Sequence, residues 1–284
     1  MQVSFASEPG DPAIPNEDFV AASVDTVVVL DGVTPVDRDD IGCRHGVAWF
    51  VRTLGTRFLA CATNDPTPLV DCLADAIGYT RDAHTDSCDP SHPDSPAATV
   101  AAVRVRHPWL DYLVLSDACV VLDGGDAVRA VADQRAGAVS RRLRAAGTQP
   151  TGSVVRSHRN RADGYWVAAE RLESAYESLS GTVDLADVHR VVVATDGATR
   201  LVDTFHEVDW KAALEELQQA GPAEWIRRTR QAERVAACED PRRCPGGPRH
   251  FAVKPAANPW LAAGEASRRR GCRCDRHRRV HLAA

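Results

Sequence analysis

The chain has 284 residues, 44% hydrophobic and 26% charged, with a net charge of −5, which suits one large domain or a domain with an appendage and excludes collagen-like, coiled-coil and wholly disordered chains. No run approaches the ~18 consecutive apolar residues of a membrane span, and the start lacks a basic stretch followed by an apolar one. Nine scattered cysteines do not resemble the paired framework of a small secreted domain, so the expectation is a cytoplasmic protein with reduced thiols.

Three short apolar runs open the chain: Val3 to Ala6, Phe19 to Ser23 and Val27 to Leu30, each bounded by Gly, Pro, Asp or Asn and read as a strand. From Arg44 to Ala62, Val47, Phe50, Val51, Leu54, Phe58 and Cys61 recur at three- and four-residue steps, which predicts a helix with one buried face. A second helix is expected from Pro68, with Thr67 as N-cap and Leu69, Leu73, Ala76 and Ile77 inward. Residues 83–96 are rich in Pro, Ser and Asp and read as an exposed loop. His84, Cys88 and His92 are counted in it, because Pro90 and Pro93 oppose the helix that would align them.

Strand patterning returns at Ala98 to Val105, Leu110 to Leu115, Cys119 to Leu122, Ala127 to Val131 and Val191 to Thr195, at spacings that favour antiparallel pairing. Arg141, Arg142 and Arg144 suggest a solvated helix face, and Trp49, Trp210 and Trp225 are expected in the core or an interface. Two helices follow, Trp210 to Gln219 with Asp209 as N-cap and Gly221 as stop, then Pro222 to Cys238. Strands in blocks with paired helices between them predict a layered α+β domain over residues 1–241.

Two segments share one construction, VVVLDG at 27–32 and VVVATDG at 191–197, each an apolar strand ending in Asp then Gly. A third acidic element, Asn16-Glu17-Asp18, precedes a strand. Carboxylates fixed at strand ends are held rigidly, and hard divalent ions take such oxygens. Glu17, Asp18, Asp31 and Asp196 brought together without a cation would repel one another, so their convergence would favour bound metal. Asp123-Gly124, between two strand-like runs, reads instead as a hairpin turn.

The ordered set of Asn16-Glu17-Asp18, Leu30-Asp31-Gly32, Ala98-Thr99-Val100-Ala101, Leu115-Ser116-Asp117 and Ala194-Thr195-Asp196-Gly197 resembles the metal-dependent protein phosphatase family, type 2C, over roughly residues 3 to 240. The resemblance implies two antiparallel sheets packed face to face between helix pairs, a four-layer α-β-β-α sandwich with two Mg²⁺ or Mn²⁺ ions at one edge. It implies that Asp31 bridges the ions, with Glu17 and the Gly32 carbonyl on one and Asp196 on the other, while Asp18 holds a metal-bound water. The implied activity is hydrolysis of phosphoserine or phosphothreonine in a phosphorylated protein by a metal-activated water.

This chain has Ala13 where members carry a phosphate-binding arginine, so Arg38 or Arg44 is expected to substitute. It has Val33 where a histidine often follows the first Asp-Gly, with His45 as a possible replacement, and no acidic residue between Pro241 and Gly264, where members place a further metal-binding Asp. The alternative reading is a pseudophosphatase, a binding or regulatory module without a full catalytic site.

Residues 242–284 carry eleven Lys or Arg against Glu265 and Asp275, whereas the preceding residues are strongly acidic. This tail is read as disordered or as an out-of-frame product of a GC-rich coding sequence, with no part in completing the sheet. Two other readings stay open: a basic arm for nucleic acid or acidic lipid, and a zinc site using Cys272, Cys274, His277 and His281.

Overall fold

The computed structural model describes residues 1–64, 66–84, 88–239 and 279–283. The first half of the chain gives β1 (Gln2–Ala6), β2 (Asp18–Ala22), β3 (Thr26–Gly32), α1 (Val47–Asn64), α2 (Leu69–Asp82), β4 (Ala98–Arg106), β5 (Trp109–Leu115), β6 (Cys119–Asp123), β7 (Val128–Ala132) and α3 (Arg135–Ala145). The second half gives α4 (Gly152–Arg156), β8 (Leu179–Asp184), β9 (Arg190–Ala194), α5 (Asp196–Asp203), α6 (Trp210–Glu239) and β10 (Arg279–Ala283). One sheet has the order β2-β3-β4-β5-β8, antiparallel throughout, and the other the order β1-β10-β9-β6-β7.

The layering follows from the two-residue period of the strands, which sends successive side chains to opposite faces. Val27, Val29, Ala101, Val103 and Val114 point from the first sheet toward Val120, Leu122, Val131, Val191 and Val193 of the second. Their neighbours Val28, Leu30, Val100, Ala102, Leu113 and Leu115 face the other way and meet Phe50, Leu54, Phe58, Leu73 and Ile77 of α1 and α2. On the far side, Val121, Val192 and Ala194 pack under Leu201, Leu214, Leu217 and Trp225. Three apolar interiors thus separate four layers, helix pair, sheet, sheet and helix pair, as expected of the α+β sandwich. Strands buried on both faces read as near-continuous Val runs.

Several local details differ from the sequence expectation. α1 starts at Val47 rather than Arg44, because Gly46 sits at φ +78° and a helix cannot run through that backbone. Pro68, not Thr67, occupies the N-cap of α2, and the Thr67 carbonyl accepts from Arg104 Nη1 at 2.9 Å. The tryptophans behave as expected in part: Trp225 is buried with its indole donating to the Ala198 carbonyl at 2.8 Å, and Trp49 and Trp210 are partly buried against the core. Gly221 (φ +82°) breaks α6 into the two helices read from the sequence.

The expectation that nothing beyond residue 241 joins the sheet is corrected. Arg279–Ala283 lies between β1 and β9, parallel to both, with Val280 opposite Val3 and Val191. Alternation of apolar and polar residues in RVHLA is too short to stand out against the surrounding arginines. Cys272, Cys274 and His277 lie outside the described residues.

Candidate active site

Strand pairing places the first two acidic motifs side by side. β2 and β3 are antiparallel with Asp18 opposite Asp31, and the Gly32 amide donates to the Glu17 carbonyl at 2.9 Å. Gly32 is required here by close approach, since a Cβ would stand 2.3 Å from Val47 Cγ1 and 2.5 Å from the Glu17 carbonyl. Only glycine lets the first turn of α1 close over the end of β3. From the other sheet, β9 ends at Ala194 and Asp196 opens α5, so a carboxylate from each sheet reaches the same edge.

The carboxyl groups meet there. Asp31 lies near enough to Asp18 and Asp196 for each to act on its carboxyl. Burial drives the Asp31 carboxyl well above the ordinary carboxylate range, and the negative charges of Asp196, Asp18 and Asp117 push it further. The pKa of Asp18 is pushed up to about 6, first by burial and then by Asp196 and Glu17, while hydrogen bonding from Asp31 and the positive charge of Arg230 oppose the rise. Asp31 is thus the carboxyl best placed to hold a proton and share it with its neighbours. Among the described residues no three of these acids offer oxygens all within 4.8 Å of one another. The cluster is therefore strung out with Asp31 in the middle rather than closed around one point.

Sequence reasoning did not assign a role to Asp117. It follows β5 at the strand end, after Ser116 in a left-handed backbone conformation (φ 69°), and its pKa is raised to about 7 by the protein packed around it and by Asp196 and Asp133. Its own surface opens to solvent, so water relieves part of that rise. The signal was present in the sequence, since Ser116-Asp117 ends an apolar strand as the two Asp-Gly pairs do. Asp203, on the outer turn of α5, is raised mainly by burial, with Asp196 adding to it.

The expected phosphate-binding arginines are engaged elsewhere. Arg38 holds Glu17 in a two-point contact, Nη1 to Oε1 at 2.8 Å and Nη2 to Oε2 at 3.1 Å, and Thr34 Oγ1 adds a third contact at 3.3 Å. Arg44 stands beside His45, Nε to Nε2 at 3.4 Å. His45 does not serve as the missing histidine of the acidic cluster, because its ring stacks on Trp49 with centroids 4.3 Å apart and its Nδ1 faces the sulfurs of Cys43 and Cys88. Asp123 sits at the hairpin between β6 and β7 as expected, but it is buried and ion-paired with Arg190 Nε at 2.6 Å.

The donors assembled at the sheet edge are all oxygens, carboxylates from four strand ends together with the Gly32 carbonyl. Such a hard acidic set, only partly offset by Arg38 and Arg230, suits Mg²⁺ or Mn²⁺ rather than a soft metal. The residues present therefore fit a divalent cation.

Comparison with solved structures supports the fold. The serine/threonine phosphatase PstP/Ppp of Mycobacterium tuberculosis matches over 79% of this chain and 88% of its own, with 16% identity and a TM-score of 0.50. The catalytic domain of PstP, in complex with two manganese ions, matches over 79% and 87%, with 13% identity and a TM-score of 0.50. Staphylococcus aureus Stp1, also a serine/threonine phosphatase, matches over 82% and 89%, with 10% identity and a TM-score of 0.51. A search of curated protein sequences gave no match. The family model for protein phosphatase 2C matches residues 13–229, spanning every acidic residue of the cluster, and the chain belongs to that family.

Proposed function

We propose that this protein is a metal-dependent phosphatase that hydrolyses phosphoserine and phosphothreonine monoesters in proteins. The observation that carries the reading is Asp31, paired across the strands with Asp18 and crowded by the charges of Asp18, Asp196 and Asp117 at the edge where both sheets end. A carboxylate so placed among repelling neighbours would serve as a ligand to divalent cations. Glu17, Asp31 and the Gly32 carbonyl would hold one cation and Asp31 with Asp196 another, as the resemblance to the family implies; the PstP domain is a complex with two manganese ions.

Mg²⁺ or Mn²⁺ bound there would acidify water and neutralise the charge of the phosphate ester. The chain's own residues do the rest. Asp18 would orient the attacking water by accepting a hydrogen bond at its carboxylate, and Asp117, whose charge acts on Asp31, would add a second acceptor. Gly32, by letting the end of β3 touch α1, keeps Asp31 from drifting. The substrate is a phosphorylated protein met in the cytoplasm, and residues 1–241 together with the strand Arg279–Ala283 form the catalytic domain.

One observation favours a second reading, a pseudophosphatase that binds phosphoproteins without turning them over. Ala13 replaces the family's arginine, and Arg38 is committed to Glu17. Turnover of p-nitrophenyl phosphate and of a phosphothreonine peptide, with and without Mn²⁺, separates the two. Hydrolysis dependent on Mn²⁺ and absent in Asp31→Asn supports catalysis, whereas phosphopeptide binding without turnover supports the second reading.

A further inference from the structure

A second cluster of metal-ligating side chains lies at the entrance to α1, built from three residues that the acidic site does not use. Cys43 Sγ, His45 Nδ1 and Cys88 Sγ all lie within 4.8 Å of one another, and all three residues are half-buried. Cys88 Sγ is 3.4 Å from His45 Nδ1, and Cys43 Sγ is 3.9 Å from it. A tetrahedral zinc with Zn–S of about 2.3 Å and Zn–N of about 2.0–2.1 Å sets its sulfur and nitrogen ligands about 3.5–3.6 Å apart. The two observed separations bracket that value.

The surroundings hold this geometry in place. The Asp89 amide donates to the Gly42 carbonyl at 2.7 Å, joining the loop that carries Cys88 to the loop that carries Cys43. Gly42 adopts φ +63°, and a Cβ there would lie 2.4 Å from His92 Cβ, so the two loops touch backbone to side chain. The His45 amide points at Cys43 Sγ at 3.3 Å; burial pushes that thiol above its ordinary range and the amide contact offsets part of the rise, so a bound cation would supply the rest of what a thiolate needs. Trp49 backs the imidazole by stacking, and the His84 ring lies 5.8 Å from that of His45. Nothing in the acidic site shares these ligands: two sulfurs and an imidazole select a softer ion than the oxygens around Asp31 do.

We propose that Cys43, His45 and Cys88 form a zinc site with three protein ligands and a fourth position open to solvent, pinning the 42–46 loop to the 88–92 loop. His45 binds through Nδ1, which places its proton on Nε2, and the exposed Arg44 side chain then swings away from its 3.4 Å contact with that atom. The consequence reaches the acidic edge indirectly, because the chain between Gly32 and Gly46 carries Thr34 and Arg38, the two side chains that grip Glu17. Zinc at this site fixes the far end of that segment.

The test is Co²⁺ titration of the full chain, followed by displacement with Zn²⁺. A thiolate-to-cobalt charge-transfer band saturating at one equivalent is expected, bleached by Zn²⁺. The band is lost in Cys43→Ser and in Cys88→Ser and weakened in His45→Gln. It is retained in Asp31→Asn, which removes only the oxygen site, and in the Cys272→Ser/Cys274→Ser double variant, which removes the tail thiols. Should a serine variant fail to fold, alkylation of the parent protein decides, with Zn²⁺ expected to shield Cys43 and Cys88. A parent protein without the band, a band that survives loss of both Cys43 and Cys88, unshielded thiols, or a Cys43–Cys88 disulfide in the purified protein would each overturn the proposal.

Discussion

Two aspartates that precede glycine, Asp31 and Asp123, should fail in opposite ways when replaced. Asp123 is 3% exposed and receives the Gly125 amide at 2.8 Å and Arg190 Nε at 2.6 Å. Asp123→Ala removes two hydrogen bonds to a carboxylate, each worth about 1.5–3 kcal/mol. Arg190 keeps Gln218 Oε1 at 2.6 Å and the Leu214 carbonyl at 3.3 Å, so the loss stays near the low end of what breaking a buried pair costs, about 3 kcal/mol. For a domain of this size that lowers the melting midpoint by roughly 6–12 °C.

Asp31→Asn should do the reverse. Its carboxyl already favours the neutral form, so an amide of the same shape disturbs the metal-free fold little. Turnover, however, depends on its charge. Circular dichroism melts without metal, paired with Mn²⁺-dependent p-nitrophenyl phosphate turnover measured well below both midpoints, give the two readouts. An Asp123→Ala protein that melts with the parent, or that loses as much turnover per folded molecule as Asp31→Asn, would refute the assignment of one residue to structure and the other to chemistry.

Acidification should stabilise the metal-free protein. Burial and repulsion push Asp18 up to about 6 from 3.8, and Asp117 rises toward about 7 less what water relieves at its open surface, so this cost is present in full once pH exceeds these values and is relieved as pH falls toward 4. Melting midpoints in chelator should therefore rise from pH 8 to pH 5, and the midpoint gain from Mn²⁺ should shrink over the same range; a flat profile contradicts the crowding of these acids. Arg38→Ala should tighten Mn²⁺ binding by about two- to fivefold in calorimetric titration, since it frees Glu17 from an exposed pair worth up to about 1 kcal/mol; weaker binding would mean that Arg38 organises the site. Gly55→Ala should cost about 1–3 kcal/mol in urea unfolding, because its Cβ would lie 2.3 Å from Phe19 Cδ1. Phe19→Leu in the same chain should recover part of that loss, and additive losses would show that the helix shifts instead.

The sandwich was legible because its strands are buried on both faces, so Val27 to Leu30 and Val191 to Val193 stand out as apolar runs. β8 was not, since LSGTVD is an edge strand with mostly exposed residues and a glycine in its middle. The Asp31 and Asp196 pairing was readable from repeated strand-Asp-Gly construction. Asp117 ends an apolar strand in the same way, but it escaped assignment because Ala118 rather than glycine follows it. Cys88 was read as a loop residue, and it remains one. What the sequence could not carry is the bond from Asp89 to Gly42, which brings Cys88 to Cys43 across the whole helical hairpin. Buried Arg104 and Asp111, paired at 3.2 Å between α1 and the sheet, were likewise hidden among ordinary strand residues.

The position of β10 has a consequence for the order in which the sheet is made. β1 has no partner strand other than β10 among the described residues, so residues synthesised first cannot enter the sheet until residues 279–283 have emerged and slotted in. During synthesis β9 therefore presents an open edge of unpaired amides and carbonyls, the kind of edge on which chains join one another. Closing it requires a contact spanning almost the entire sequence, which slows the final step. A chain stopped after residue 241 would retain the β9-β6-β7 ladder and the antiparallel sheet, yet leave β1 loose and that edge bare, making association between copies the first visible defect.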